Sequence, residues 1–265
     1  MKEIKLPLNN KNIIITRSQD QSLHSKIIFE NAGAKLFDLP ALIIDYPDDI
    51  RPLDKVLAKI NDFHWIIFSS SNGIKFLEKR LLVKGFSLNK FSNDLKIGVV
   101  GKKTAQYLNK LGVKADYTPP EFIAESLIRN FPASLKDLQI LIPRVQSGGR
   151  SIIIDAFINA GADVTEVAVY ESRCPDSIPQ ETILALQNKI IDAILFSSGK
   201  TVQNTGFLLQ KYFGREWKSI LDDVKIFSIG PQTSLACIKN LGRVDKEAAN
   251  YTFEGLLEAS KNYFN

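Results

Sequence analysis

The sequence predicts an α/β chain made of two similar parallel-sheet domains, and three observations carry that expectation. Short apolar runs stop abruptly in polar loops and hand over to helical spacing. The clearest is Trp65-Ile66-Ile67-Phe68, followed by Ser69-Ser70-Ser71-Asn72-Gly73 and then Ile74, Leu77 and Leu81 at i, i+3 and i+7. The same design returns 128 residues later, from Phe68 to Phe196, as Ile194-Leu195-Phe196-Ser197-Ser198-Gly199-Lys200-Thr201. Strand-like and helix-like segments also alternate along the chain, the pattern that builds parallel sheets through right-handed crossovers.

The remaining elements follow in order. Asn12 to Arg17 reads as a strand ending in a polar pair, followed by a helix carrying Leu23 and Ile27 on one face and stopping near Gly33. Lys35 to Leu39 is a second strand, closed by Pro40, and residues 40–46 read as a crossing segment. Leu53 to Ile60 is an amphipathic helix that leads into the Trp65 strand. Ile97 to Val100 is the next strand, with a helix over Ala105, Leu108 and Leu111 that ends at Gly112. Val113 to Tyr117 reads as an edge strand, and Phe122 to Arg129 as a helix.

At Gln139 the opening is replayed. Gln139 to Arg144 matches the strand ending in Arg17, and a helix over Ser151 to Ala160 matches the first and stops at Gly161. Val164 to Tyr170 is a strand, and Cys174-Pro175 marks a second crossing. A helix over Thr182 to Asn188 precedes the Phe196 strand. Ile226 to Thr233 repeats the Gly101 to Thr104 pattern, each glycine being followed three residues later by threonine, and the helix after Thr233 ends at Gly242. Thr252 to Tyr263 is the last helix. Taken alone, the repeat would divide the chain near residue 135.

Composition narrows the function. Two cysteines among 265 residues make no disulfide framework and point to a cytosolic protein with reduced thiols. No run reaches the roughly 18 apolar residues of a membrane span, and the first eleven residues carry no secretion signal. A net charge of +5 and a pI near 9.0 favour acidic partners. Basic residues are scattered, and the densest group, Lys75, Lys79, Arg80 and Lys84, reads as a solvated helix face. The expectation is therefore a small anionic ligand, with neither nucleic acid nor membrane as partner.

The loops set the chemistry. His24 and His64 read as structural or surface residues, and no metal-ligand spacing, GxGxxG fingerprint or GxxxxGK[ST] phosphate loop is present. What the strand ends offer is Ser, Thr, Asn and backbone N–H groups, a surface that binds carboxylates. Each such residue has two readings. Ser69, Ser70, Ser71 and Asn72, and likewise Thr104 and Thr233, either cap helices or meet a ligand; Arg17 and Arg144 are surface residues or face a crevice; Tyr170 packs or presents its hydroxyl near the domain junction. Strand ends from two similar domains, facing one another, would form one pocket.

In this order and spacing the loops resemble one family over essentially the whole chain. Ile15-Thr16-Arg17, Phe68 to Gly73, Val100-Gly101 with Thr104-Ala105, Val169-Tyr170-Glu171, Phe196-Ser197-Ser198 and Ile229 to Thr233 are together similar to uroporphyrinogen-III synthase. The resemblance implies two flavodoxin- or Rossmann-like α/β domains joined by a two-stranded linker, with the active-site cleft between them. It places the domains at 1–40 plus 172–265 and at 44–168, with linkers near 40–44 and 168–172. It also implies a cofactor-independent, cytoplasmic, monomeric lyase that cyclises hydroxymethylbilane, a linear tetrapyrrole polycarboxylate, to uroporphyrinogen III, losing water and inverting the last ring.

By motif, Tyr170 corresponds to the family's junction tyrosine, a candidate to assist departure of the hydroxyl. Thr233 corresponds to the threonine of the Gly-Pro-x-Thr loop, which would hold a carboxylate or the leaving group. Substrate contacts are expected from Thr16, Arg17, Ser69, Ser70, Ser71, Asn72, Gly101, Thr104, Arg144, Ser197, Ser198, Thr201 and Gly230. Lys200 varies among family members and is not assigned. A transient hand-over from hydroxymethylbilane synthase is the expected protein contact. Two rivals remain: a non-catalytic, two-domain cytosolic binder of an anionic small molecule, and a nucleotide-dependent transferase, which lacks the phosphate-cradling glycines.

Overall fold

The computed structural model describes residues 6–17, 19–91, 95–121, 124–147 and 152–264, with the backbone alone described at 19–22 and 124–125. The chain divides into two compact units, one running up to Ile43 and resuming at Arg173, the other formed by Ile44–Ser172. A break near 135 would instead cut the second unit in two. The expected helix starts at Phe122 and Ser151 lie outside the described residues.

In the first unit, β1 (Asn12–Ile15), α1 (Gln19–Asn31) and β2 (Lys35–Asp38) form the opening crossover. Later come α7 (Gln180–Gln187), β8 (Ala193–Phe196), α8 (Gly199–Phe213), β9 (Lys225–Ser228), α9 (Pro231–Leu241), β10 (Lys246–Glu247) and α10 (Phe253–Phe264). The second unit holds β3 (Ile43–Asp45) at its start. Then follow α2 (Arg51–Leu57), β4 (Trp65–Phe68), α3 (Ser71–Val83), β5 (Lys96–Val99), α4 (Lys102–Lys110), α5 (Ala124–Arg129), β6 (Gln139–Val145), α6 (Ile152–Asn159) and β7 (Asp163–Arg173). The sheets run β10-β9-β8-β1-β2 and β3-β7-β6-β4-β5. The pairs β1/β2, β1/β8, β8/β9 and β9/β10 are parallel, as are β4/β5, β4/β6 and β6/β7.

The central strands explain why the apolar runs are uninterrupted. Successive strand side chains point to opposite faces, and a parallel sheet covered by helices buries both. In β4, Ile66 and Phe68 enter one core while Trp65 and Ile67 enter another. In β8, Ile194 and Phe196 face one core and Ala193 and Leu195 its opposite.

Three expectations change. Val113 to Tyr117 is not a strand: it makes a single bridge, Gly98 to Tyr117. The reason is a side chain that takes over the ladder: Asp116 Oδ2 accepts the Ile97 N–H at 2.7 Å, while the Asp116 N–H donates to the Ile97 carbonyl. The first unit repeats the device, Asp245 Oδ2 accepting from Ile226 N–H at 2.7 Å beside the two-residue β10. Leu23 and Ile27 do not face the core, being 70% and 46% exposed, whereas Phe29 is fully buried. Gly33 does end its helix in the left-handed region, at φ 96°.

The basic face of α3 is also not simply solvated. Arg80 donates through Nε and Nη2 to both Asp54 oxygens, at 2.7 and 2.5 Å, and Lys84 lies 3.1 Å from Oδ1. The Arg80 hydrogen bonds hold the Asp54 carboxyl down at about 2. A depressed carboxyl stabilises the fold above its unfolded value, near 4, and that contribution fades as pH falls from there through about 2. With solvent screening it is worth about 1 kcal/mol. Asp54→Asn is thus expected to lower urea stability by about that amount at pH 7, and the difference should shrink to a small fraction of it by about pH 2.

Candidate active site

The second unit carries a cavity of about 130 Å³ at the carboxyl ends of its strands, where ligands sit in such sheets. Ile67 and Ile142 come from β4 and β6, Ile153 and Ile154 from α6, and its polar groups are Ser69, Ser70, Arg144 and Tyr170. Four expected site residues are thus gathered from three segments of the sequence.

Ser70 is the N-cap of α3: extended at φ −149° and ψ 148°, it accepts the Gly73 N–H on Oγ at 3.0 Å. Such a cap satisfies one of the orphan donors of the first turn and is worth about 1 kcal/mol. The Tyr170 hydroxyl lies 3.3 Å from the same oxygen. The Tyr170 ring stacks on Phe76 of α3, with centroids 5.9 Å apart, and Tyr46 meets Phe76 edge-on at 5.1 Å. A register shift between Arg144 and Val145 brings Val145 opposite Tyr170, and the Tyr170 carbonyl accepts from Gln146 N–H at 2.8 Å. Arg144 forms an ion pair with Glu166, across the same strand pair. Ser71 and Asn72, both partly exposed, follow as the first residues of α3.

The first unit answers with a parallel but different set. Ser198 caps α8, accepting the Thr201 N–H at 3.3 Å. Ser197 sits just before it, partly exposed. Thr201 donates to the Ser198 carbonyl at 2.8 Å, so its hydroxyl serves the cap. Thr16, almost fully buried, donates to the Leu195 carbonyl at 2.7 Å and ties β1 to β8. The half-buried guanidinium of Arg17 lies 4.9 Å from the Phe253 ring centroid, and burial pulls its pKa below the usual arginine value.

Thr104 and Thr233 are not N-caps. Gly101 and Gly230 hold those positions without side-chain bonds, and each threonine stands three residues on, buried, in the first turn of α4 or α9. Gly101 needs its left-handed φ of 109°, whereas Gly230 needs space: a Cβ there would lie 2.9 Å from the Tyr251 ring. Neither histidine is at the cavity. His24 meets Glu254 at 2.7 Å on the surface, and His64 Nδ1 accepts the Gln139 N–H at 3.0 Å. Cys237 is fully buried, and burial pushes its thiol up to about 12. Among the described residues no group of three or more His, Cys, Asp or Glu side chains could hold a metal.

Two features escaped the sequence. Phe76 is a polar cluster's packing partner placed one residue off the Ile74/Leu77 stripe. Glu166 meets Arg144 only through strand register, since Ile142 pairs with Glu166 and Arg144 with Ala168.

These features define a two-domain α/β protein that carries hydroxyls, an arginine and helix N-termini at its strand tips. A family profile described as "Uroporphyrinogen-III synthase HemD" matches residues 23–258. The chain is 43% identical to uroporphyrinogen-III synthase of Synechococcus elongatus over 97% of each chain, and 25% identical to the putative uroporphyrinogen-III synthase of Methanothermobacter thermautotrophicus over 92% of this chain and 95% of that one. The crystal structure of uroporphyrinogen-III synthetase from Helicobacter pylori shares the fold at 17% identity and a TM-score of 0.58, covering 96% of this chain and 99% of that one. The chain belongs to the uroporphyrinogen-III synthase family, the lyases of tetrapyrrole biosynthesis that cyclise hydroxymethylbilane, and that is its activity.

Proposed function

We propose that the β4/β6/β7 cavity receives one ring of hydroxymethylbilane and that Tyr170 protonates its departing hydroxyl. The observation that carries this reading is the Tyr170 phenol, held at the cavity by a Phe76 stack and the Ser70 cap. At about 30 Å³ per water, 130 Å³ holds roughly four waters, the scale of a pyrrole ring without its acid arms. The rest of the bilane lies outside it.

The chemistry balances without a strong acid. The pyrrole nitrogen pushes electrons as the C–O bond breaks, the Tyr170 proton goes to the departing oxygen, and water, the phenolate and an N-protonated azafulvene result. The proton released after ring closure through a spiro intermediate returns to the phenolate. Inversion of the last ring is then a matter of which carbon is presented to the azafulvene, so orientation is the protein's main contribution.

Thr233, in the first turn of α9, is assigned to a substrate carboxylate or the leaving group. One hydrogen bond to a charged group is worth roughly 1.5–3 kcal/mol, so Thr233→Ala is expected to lower kcat/KM by roughly ten- to a hundredfold. Unchanged kinetics would remove it from the site. For the whole reading, the protein incubated with hydroxymethylbilane should yield the type III isomer; type I alone, the spontaneous product, would overturn it. The reading places the enzyme in the cytoplasm, receiving bilane from hydroxymethylbilane synthase. In support, Cys174 and Cys237 are free thiols, and no described helix is long and apolar enough to cross a membrane.

A further inference from the structure

We infer that Ser70 is a positioning residue for Tyr170: it donates to the phenol oxygen and so leaves the tyrosine's own proton for the cavity. The inference rests on the reading of Tyr170 as proton donor. A serine hydroxyl has one proton and two lone pairs. One lone pair of Ser70 is engaged by the Gly73 N–H at 3.0 Å, and the Tyr170 oxygen lies 3.3 Å away. The pair can be wired in two ways. If Tyr170 donated to Ser70, its proton would be spent inside the protein and none would reach a leaving group. If Ser70 donates, the Tyr170 proton is free to turn into the cavity that Ser69 and Arg144 also line.

Three physical effects favour the second wiring. The Gly73 N–H polarises the Ser70 hydroxyl and strengthens its donation, as in any chain of hydrogen bonds. Negative charge is favoured at the start of a helix, so the contact also stabilises the phenolate formed when the proton leaves. The ring cannot easily turn away, because Phe76 stacks on it and Tyr46 in turn braces Phe76. At 3.3 Å the contact is longer than a usual O–H···O bond, and contacts of this kind tighten once substrate is bound. The duplicated unit supplies an internal contrast. Ser198 caps α8 in the same way, yet its hydroxyl faces Thr201 Oγ1 at 3.5 Å instead of a tyrosine. The cap alone therefore accounts for a serine at both positions, and only the Ser70 copy has a phenol to orient.

The test separates the cap from the donor. Glycine is tolerated at N-caps at little cost, so Ser70→Gly keeps the helix and removes the hydroxyl. It is expected to lower kcat roughly tenfold, with KM within about twofold, because one neutral hydrogen bond is lost from the transition state. Ser70→Thr should restore the rate. Ser70→Cys, near-isosteric but a weak donor, should lose it as Ser70→Gly does, and stands in should the glycine variant not fold. In the Tyr170→Phe background Ser70→Gly should lower kcat no further. The direct readout is the NMR chemical shift of the Tyr170 Cζ carbon, with tyrosine labelled there. It should move in Ser70→Gly and Ser70→Cys, which lose the hydroxyl's donation, and stay put in Ser70→Thr. The charged pair Arg144–Glu166 is untouched by these changes, so the shift reports the Ser70 contact. A wild-type kcat and an unmoved phenol in Ser70→Gly, with Tyr170→Phe impaired, would overturn the inference and leave Tyr170 in place. An unimpaired Tyr170→Phe would instead overturn the reading on which it rests.

Discussion

Tyr170→Phe should reduce the turnover of hydroxymethylbilane to the type III isomer by about a hundredfold without unfolding the protein. General acid assistance is worth roughly 10²–10⁴ in rate. The lower end applies because the pyrrole nitrogen already drives the hydroxyl out, and the proton only eases its departure. Phenylalanine keeps the stack on Phe76 and the strand contacts of β7, and loses only the oxygen 3.3 Å from Ser70. Stability should then change by less than about 1 kcal/mol. Because the proton moves only in the transition state, kcat and kcat/KM should fall together with KM nearly constant. The measurement is the initial rate of type III formation, with spontaneous type I formation counted separately, alongside a thermal melt of both proteins. A rise in KM at constant kcat would make the hydroxyl a ground-state contact, and unchanged kinetics would exclude it from the chemistry.

What the sequence made legible, and what it hid, divide along a physical line. Strands β4 and β8 were readable because four consecutive apolar residues have only one economical home, a sheet buried on both faces. Helix ends were readable because Gly33, Gly112, Gly161 and Gly242 all take positive φ after the last turn. The distribution of roles among look-alike hydroxyls was not. Ser70 and Ser198 cap helices while Thr104 and Thr233 sit buried inside the first turn behind capping glycines. The distinction is one of backbone angle and not of residue type. Contacts across sheet order were hidden altogether. Thr16 is spent on the Leu195 carbonyl, 179 residues away, because β1 lies between β2 and the distant β8 in the sheet. Tyr170 and Ser70 are 100 residues apart and come within 3.3 Å in a sheet where β6 alone stands between β7 and β4. The edge segment Val113–Tyr117 had a strand's composition, but a carboxylate two bonds long, Asp116, replaced the ladder that composition alone would forecast.

Gly255→Ala should destabilise the first unit by roughly 2–4 kcal/mol, although alanine is the better helix former. Gly255 lies in the first turn of α10, where its N–H donates to the Thr252 hydroxyl at 3.1 Å. A Cβ built on it would lie 2.0 Å from the Asn250 carbonyl oxygen and 2.9 Å from its carbon. Both are backbone atoms, so no side chain can swing aside; the loop or the helix start must move by about an ångström, and the Thr252 cap, worth about 1 kcal/mol, is strained with it. The displacement spreads to the strand-end loops. Tyr251 packs its ring against Gly230 at the start of α9, and Phe253 carries the Arg17 guanidinium. Activity should therefore fall even at temperatures where the variant remains folded. The two tryptophans give a clean readout, since Trp217 belongs to the first unit's core and Trp65 to the second's. In a Trp65→Phe background, urea unfolding followed by Trp217 fluorescence should show a lower midpoint for Gly255→Ala at an unchanged slope, the mark of a less stable fold and not of a different denatured state. A midpoint equal to that of the parent would mean that the turn at Asn250 has room the structure denies it, and would also withdraw the expected loss of activity through Gly230 and Arg17.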